Sequence, residues 1–340
     1  MQMDWDNIDW AALERMRSAF LQGTAGQSDY WQSESDVASY DISYAQRIGW
    51  KWDYVLNELS LRGWKPPAGV LLDWGCGSGI AHRAFLDHFG TDTASSLRVF
   101  DRSALAMTYA RNKAQAKYSN LNIETGLAGK ADIVLISHVL TELSAAEIET
   151  LADEMAEKAA CILWVEPGTY EASLTLIAIR ERLRASANRM NIVAPCTHQG
   201  RCGILDAGNE RHWCHHFAAP PSEVFTDKNW ARFGKLAGVD LRSLPLSFLV
   251  LDKRNVAELP PGATRIIGEP RVYKPYALAL GSGASGVKEH HITRRHLPAV
   301  FRKAKKGKLE PLQIFDMEGD EVIEAKPLFP EKPSDTNHDT

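Results

Sequence analysis

The sequence predicts an α/β fold of the doubly wound, Rossmann-like type, on two observations. Apolar runs alternate with helical segments from residue 69 to about residue 169, and the first run leads straight into a glycine-rich turn. Repeated β–α units imply a parallel sheet covered by helices on both faces. The run GVLLDW (69–74) is the first expected strand, followed by the helix IAHRAFLDHFG (80–90). LRVFDRS (97–103) reads as the second strand, with a helix over 104–116. ADIVLIS (131–137) and CILWVEPGT (161–169) read as further strands, with the helix AEIETLADEMAEKA between them. LSFLVLDK (246–253) reads as a late strand of the same sheet.

Around this centre the expected domains are a helical extension at 1–64, the Rossmann-like domain at 65–253 with a cysteine-rich insertion at 194–216, a small basic C-terminal β module at 254–325, and a disordered polar tail at 326–340. In the extension, Tyr40, Tyr44, Ile48, Trp52, Val55 and Leu59 recur at spacings of three to four, which predicts one amphipathic helix over 39–59. Pro66, Pro67 and Gly69 end it. RVYKPYALAL and VKEHHITRRH are expected to pair as a small hairpin.

Composition excludes little. The 340 residues are 44% hydrophobic and 24% charged, with a formal net charge of −4, so a nucleic-acid role would have to come from a local patch. The five cysteines do not suggest a disulfide framework. The opening MQMDWDNIDW has no basic stretch followed by an apolar run, and no apolar run approaches the ~20 residues of a membrane helix. The expectation is a soluble, cytoplasmic protein without membrane contact, and a monomer.

LLDWGCGSGI carries the first candidate site: Asp73, Gly75, Cys76, Gly77 and Gly79 between a strand and a helix. Glycines let the backbone approach a ligand closely, and the helix that follows presents free N–H groups. That suits the carboxylate end of S-adenosylmethionine, with Asp73 accepting a hydrogen bond from it. A dinucleotide fingerprint, G-x-G-x-x-G, fails here, because its last glycine would fall on Ile80 or His82. Asp101, followed by Arg102, closes the second strand, where an acid can bind both ribose hydroxyls or cap the next helix. Ser137 and His138 end another strand beside the same crevice. Cys76 and Cys161 read as small apolar filler.

The stretch APCTHQGRC, followed by RHWCHHF, places Cys196, Cys202 and Cys214 among four histidines. Thiolates and imidazoles this dense suggest a metal site, although paired C-x-x-C spacing is absent. With Tyr40, Tyr44, Arg47, LLDWGCGSG, ADIVLISHVLTEL, VEPGT and SFLVLDK, this stretch resembles the methyltransferase-like assembly factors of the mitochondrial small ribosomal subunit and their bacterial relatives. The resemblance covers roughly residues 40–255 and extends more weakly to about 310. It implies an S-adenosylmethionine-type domain carrying a 4Fe-4S cluster and acting on the small ribosomal subunit or its rRNA. Three cluster ligands carry over to Cys196, Cys202 and Cys214. The fourth does not, since Gly281 or Ser282 stands where the family has a cysteine. His198 or His215 could complete the shell, one iron could stay open, or the metal could be zinc.

Residues 294–308 carry Arg294, Arg295, Arg302, Lys303, Lys305, Lys306 and Lys308 with no acid among them, near Tyr273, Tyr276 and Phe301. Cations neutralise phosphates and aromatics stack on exposed bases, which points this module toward RNA. No base-methylating Asn/Asp-Pro-Pro-aromatic loop is present, since SHVLTEL occupies its place. Glu142 and Glu166 are acid–base candidates by position. The open readings are an rRNA methyltransferase, a non-catalytic ribosome assembly factor and a small-molecule methyltransferase.

Overall fold

The computed structural model describes residues 5–23 and 29–329. The chain forms two compact units: Met1–Pro195 with His212–Val256, and Cys196–Arg211 with Ala257–Thr340. The segment expected as an insertion at 194–216 therefore divides, and its residues 196–211 belong with the C-terminal unit.

The first unit opens with α1 (Trp10–Leu21), α2 (Glu34–Asp41) and α3 (Tyr44–Leu61). The single helix expected over 39–59 is broken at Ile42 and Ser43. Ser43 Oγ donates to the Ser39 carbonyl at 2.6 Å, a local bond that competes with helix continuation. Asp41, the last residue of α2, is buried against Arg83 and Tyr109. Trp5, Trp31 and Val37 pack with Tyr109, Trp230 and Phe233, which fixes the extension to the body of the unit.

The sheet follows: β1 (Gly69–Trp74), α4 (Ile80–Phe89), β2 (Ala94–Phe100), α5 (Ala104–Lys117), β3 (Asn122–Thr125) and β4 (Ala131–Ser137). It continues through α6 (Ala145–Lys158), β5 (Ala159–Pro167), α7 (Tyr170–Ala185), β6 (Asn191–Ala194), β7 (His216–Ala218), α8 (Lys228–Ala237) and β8 (Leu244–Asp252). The order is β3-β2-β1-β4-β5-β8-β6, with β7 beside β8. Strands β1 to β5 run parallel, and β8 runs antiparallel to both β5 and β6. This is a Rossmann-like, doubly wound sheet with one reversed strand. Helix starts are built from capping side chains: Ser103 for α5, Thr169 for α7, and a reciprocal Ser144–Glu147 box for α6. Leu71, Leu97, Val99, Ile133, Leu135 and Leu163 fill the core across the parallel strands. The chain leaves β1 for β2 on one side and returns to β4 on the other. Ligand crevices open at such a switch point, outside the carboxyl ends of the strands.

The second unit is a closed barrel of β9 (Ala263–Val272), β10 (Tyr276–Gly283), β11 (Gly286–Thr293), β12 (Leu312–Glu318) and β13 (Glu321–Pro327). The expected hairpin is β10–β11, two strands of this larger barrel. Helix α9 (Pro298–Lys305) lies between β11 and β12 and buries Phe301 with Ile266, Ala277 and Phe315. The first residues of the expected tail end β13, and residues 330–340 lie outside the described residues. Among the described residues, no helix is long and apolar enough to cross a membrane.

The Asp41–Arg83 pair is a buried ion pair open to single-site damage. Both side chains are nearly inaccessible, and Arg83 also holds the Ser78 carbonyl at 2.6 Å. Asp41→Ala would strand the guanidinium and is expected to cost about 3–5 kcal/mol in urea unfolding. Arg182→Ala, which breaks exposed pairs to Glu149 and Asp153, is expected to leave the urea midpoint close to the parent's. Equal costs would contradict this placement of the two pairs.

Candidate functional site

A cavity of about 730 Å³ opens at the switch point of the first unit. Its floor is the turn after β1. Gly75 has φ +68°, and a Cβ there would meet Val139 Cγ1 at 2.7 Å. Gly79 has φ +83°, and a Cβ there would meet the His82 ring at 2.3 Å. Both positions are closed to larger residues by space as well as by backbone conformation. Cys76 donates its N–H to the Phe100 carbonyl at 2.9 Å, which ties the turn to the end of β2. Cys76 is among the cavity's lining residues, its side chain is buried, and burial pushes the thiol well above its ordinary range.

Asp101 lines the cavity and holds the turn at the same time. One carboxylate oxygen accepts the Gly77 N–H at 2.9 Å, and the other accepts the Ser103 N–H at 2.9 Å. Each oxygen keeps a second lone pair for a ligand. Burial raises its pKa, and the two N–H bonds and Arg102 oppose that shift. Asp73 is placed otherwise. It is fully buried beneath the turn and does not line the cavity. Its Oδ2 lies 2.7 Å from His82 Nδ1, while its Oδ1 has no protein partner among the described residues. Gly75, Gly77, Arg102, Ser137 and His138 all line the cavity, whereas Gly79 sits behind it as the N-cap of α4.

Arg102 pairs with Glu142 at 2.9 Å and lies over the Tyr30 ring at 5.7 Å. Ser137 Oγ accepts the Trp52 indole N–H at 2.9 Å. His138 has φ +56°, a conformation uncommon outside glycine, and its Nε2 is buried with no hydrogen-bond partner among the described residues. Burial, with Lys51 nearby, holds its imidazole well below the ordinary range, so it is neutral.

The roof comes from the N-terminal extension, which the sequence reading left unconnected to the site. Tyr30, Trp31, Tyr40, Tyr44 and Lys51 all line the cavity. Lys51 is 8% exposed and has no hydrogen-bond or ion-pair partner among the described residues. Burial lowers its pKa to about 7. Burial raises Glu142 and Glu166 to about 7 as well. Glu166 is inaccessible, and its Oε1 accepts from the Val139 N–H at 3.0 Å and the Trp164 indole at 2.8 Å. It braces the loop after β4 from below. Arg47, read as part of the resemblance, donates to the Asp240 and Ser243 carbonyls and anchors α3 to the segment before β8.

The cysteine-rich segment does not assemble as the metal expectation requires. Among the described residues, no three His, Cys, Asp or Glu side chains are grouped to hold a metal ion. Cys196, Cys202 and His198 belong to the second unit, and Cys214 and His215 to the first. Cys214 Sγ lies 3.6 Å from Nε2 of His216, not of His215. The His215 ring stacks on Trp213, with centroids 4.5 Å apart, and its Nδ1 faces the Trp213 carbonyl. A fourth cysteine at Gly281 would not fit as the barrel stands, because a Cβ there would lie 2.5 Å from His290 Nε2. No cysteine follows Cys214 in the sequence, so this segment offers three thiolates.

Glu142 gives the crevice a pH signature. Its carboxyl titrates near 4.5 when unfolded and near 7 when folded. The stability it contributes in neutral form is fully present below 4.5 and is lost as pH rises through 7. Glu142→Gln should therefore gain stability relative to the parent between pH 5 and pH 8 in urea titrations. A difference that is flat with pH, or that falls, would contradict the burial of this carboxylate.

None of the curated proteins compared matches the chain. Among solved structures, magnesium protoporphyrin IX methyltransferase (ChlM) from Synechocystis PCC 6803, with bound SAH, is similar at 13% identity and a TM-score of 0.39, covering 72% of this chain and 100% of that one. A SAM-dependent methyltransferase from Aquifex aeolicus is similar at 14% identity and a TM-score of 0.34, covering 49% of this chain and 93% of that one. The family described as mitochondrial small ribosomal subunit Rsm22 matches over residues 55–309, from α3 through the sheet and most of the barrel unit, and the chain belongs to that family.

Proposed function

We propose that the crevice of the first unit binds S-adenosylmethionine, and that the protein acts on the small ribosomal subunit or its rRNA, as a methyltransferase or as an assembly factor. One observation carries the cofactor reading. The glycine turn after β1 and the carboxylate after β2 face one cavity at the switch point, joined by the Gly77–Asp101 bond. The turn and the start of α4 suit the carboxylate end of the cofactor, and Asp101 suits its ribose. When bound, the cofactor would supply an electrophilic methyl group. This chain's residues would orient it and exclude water through the aromatic roof. Lys51, His138 and Glu142 face the cavity and are the groups able to hold or move a proton there. The ribosomal part of the reading rests on family membership, and the setting proposed is a monomer in the cytoplasm.

Calorimetry tests the cofactor. The intact protein should bind S-adenosylmethionine or its demethylated product. Asp101→Ala should weaken binding by about 1.5–3 kcal/mol, through loss of charge-assisted hydrogen bonds. No binding by the parent would refute the cofactor reading, and equal affinity in the variant would refute only the role of Asp101.

A metal at Cys196, Cys202 and Cys214, iron–sulfur or zinc, is a separate proposal resting on the resemblance and the three thiols. Iron–sulfur would give anaerobically purified protein a brown colour, and zinc would appear only on elemental analysis. Cys202→Ser should lose the metal and Cys161→Ser should keep it. Metal-free parent protein after anaerobic purification would end the proposal.

A further inference from the structure

The barrel of the second unit has an order with functional meaning. Numbered within the barrel, its strands close as 1-2-3-5-4, with the third and fifth parallel at His291 and Glu321 and the helix between the third and fourth. That is the arrangement of the OB-fold, whose second and third strands and first loop bind oligonucleotides. Here those strands are β10 and β11, and that loop is Tyr273–Pro275.

A groove of about 620 Å³ opens beside this loop. Lys274 reaches it from the loop, Arg294 from the end of β11, and Arg302 and Lys305 from α9. No acid lines it. None of these four cations has an ion-pair or side-chain hydrogen-bond partner among the described residues. Some neighbours are paired instead: Lys303 with Glu310 and Arg271 with Glu289. Cations in the last turn of α9 would stabilise the helix dipole wherever they pointed. That does not account for Lys274 and Arg294, which come from two other segments onto the same groove.

An aromatic path leads from the groove onto the strand face. Tyr273 lines the groove and is 45% exposed. Its ring lies 4.9 Å from Tyr276, and Tyr276 stacks on His291 at 5.4 Å and 15°. Along β10, Ala277 and Ala279 turn inward, so Tyr276 and Leu278 stand on the outer face, with His291 opposite Leu278. Phosphates need unpaired cations, and unstacked bases need exposed rings. A duplex offers only the first.

We infer that this groove and the β10–β11 face form a binding site for single-stranded RNA, with phosphates along Lys274, Arg294, Arg302 and Lys305 and bases on Tyr273 and Tyr276. The inference rests on the rRNA reading above and is independent of the cofactor crevice. One such barrel spans roughly four to sixteen nucleotides.

The test is fluorescence anisotropy of the intact protein with a labelled oligouridine of about twelve nucleotides, against a duplex RNA of the same length, from 50 to 200 mM salt. The single strand should bind at least about tenfold tighter. Arg302→Ala with Lys305→Ala should lower the slope of log affinity against log salt by about 1.4, at about 0.7 per phosphate contact. Tyr276→Ala should weaken binding about tenfold with the slope unchanged. Tyr273→Ala, at an exposed ring, gives the same reading if the strand variant does not fold. Equal binding of duplex and single strand, an unchanged slope in the double variant, or equally tight binding of an acidic polyglutamate peptide would overturn the inference. Co-sedimentation of the parent protein with small ribosomal subunits separates the two failures, since it reads the ribosomal association without the oligonucleotide.

Discussion

The hydrogen bond from the Gly77 N–H to the Asp101 carboxylate is the constraint on which the crevice at the switch point depends. It joins the turn after β1 to the end of β2, and the Cys76 N–H to the Phe100 carbonyl repeats that tie one residue away. Between them the turn is held open across the switch point of the sheet. Gly75 and Gly79 permit this path because Val139 and His82 leave no room for a Cβ. Asp101 is thus a structural acceptor before any ligand arrives. Ser103, not Asp101, caps the next helix, and holding the turn leaves Asp101 a lone pair on each oxygen for the proposed ribose.

The crevice gathers ionisable groups that burial has driven toward neutrality. Lys51, Glu142 and Glu166 come from α3, the loop after β4 and the end of β5, and all are brought to about 7. A site of this kind can exchange protons near neutral pH at little cost, which an exposed lysine or glutamate cannot. The same desolvation makes the crevice expensive to maintain, and Glu166 offsets part of that cost by bracing the Val139 and Leu140 amides. The first unit and the barrel differ in the charges they present. One holds buried, neutralised groups in a crevice, and the other holds exposed, unneutralised cations on a groove.

The parallel core was legible because its strands are buried on both faces and read as unbroken apolar runs, as in ADIVLIS and CILWVEP. The edge strand β3, NIET, was not legible, since three of its four residues are exposed and polar. The glycine turn and Asp101 were legible from spacing alone. The roof was not: Tyr30, Tyr40 and Lys51 reach the crevice through tertiary packing, and the helical period of residues 39–59 says only that one face is buried. It also concealed the break at Ser43, which depends on a side-chain bond and a buried Asp41. Basic clustering at 294–308 was visible, but the contribution of Lys274 from another loop needs the barrel. The cysteine spacing suggested one site, yet the chain distributes those residues over two units.

The most direct test of the account is a crystal structure of the protein grown with S-adenosylhomocysteine. The account places the ligand's ribose within hydrogen-bond distance of Asp101 and its amino-acid end against the Gly75–Gly79 turn, under Tyr30 and Tyr40. Density for the ligand at another place, or an empty crevice at saturating ligand, would contradict it.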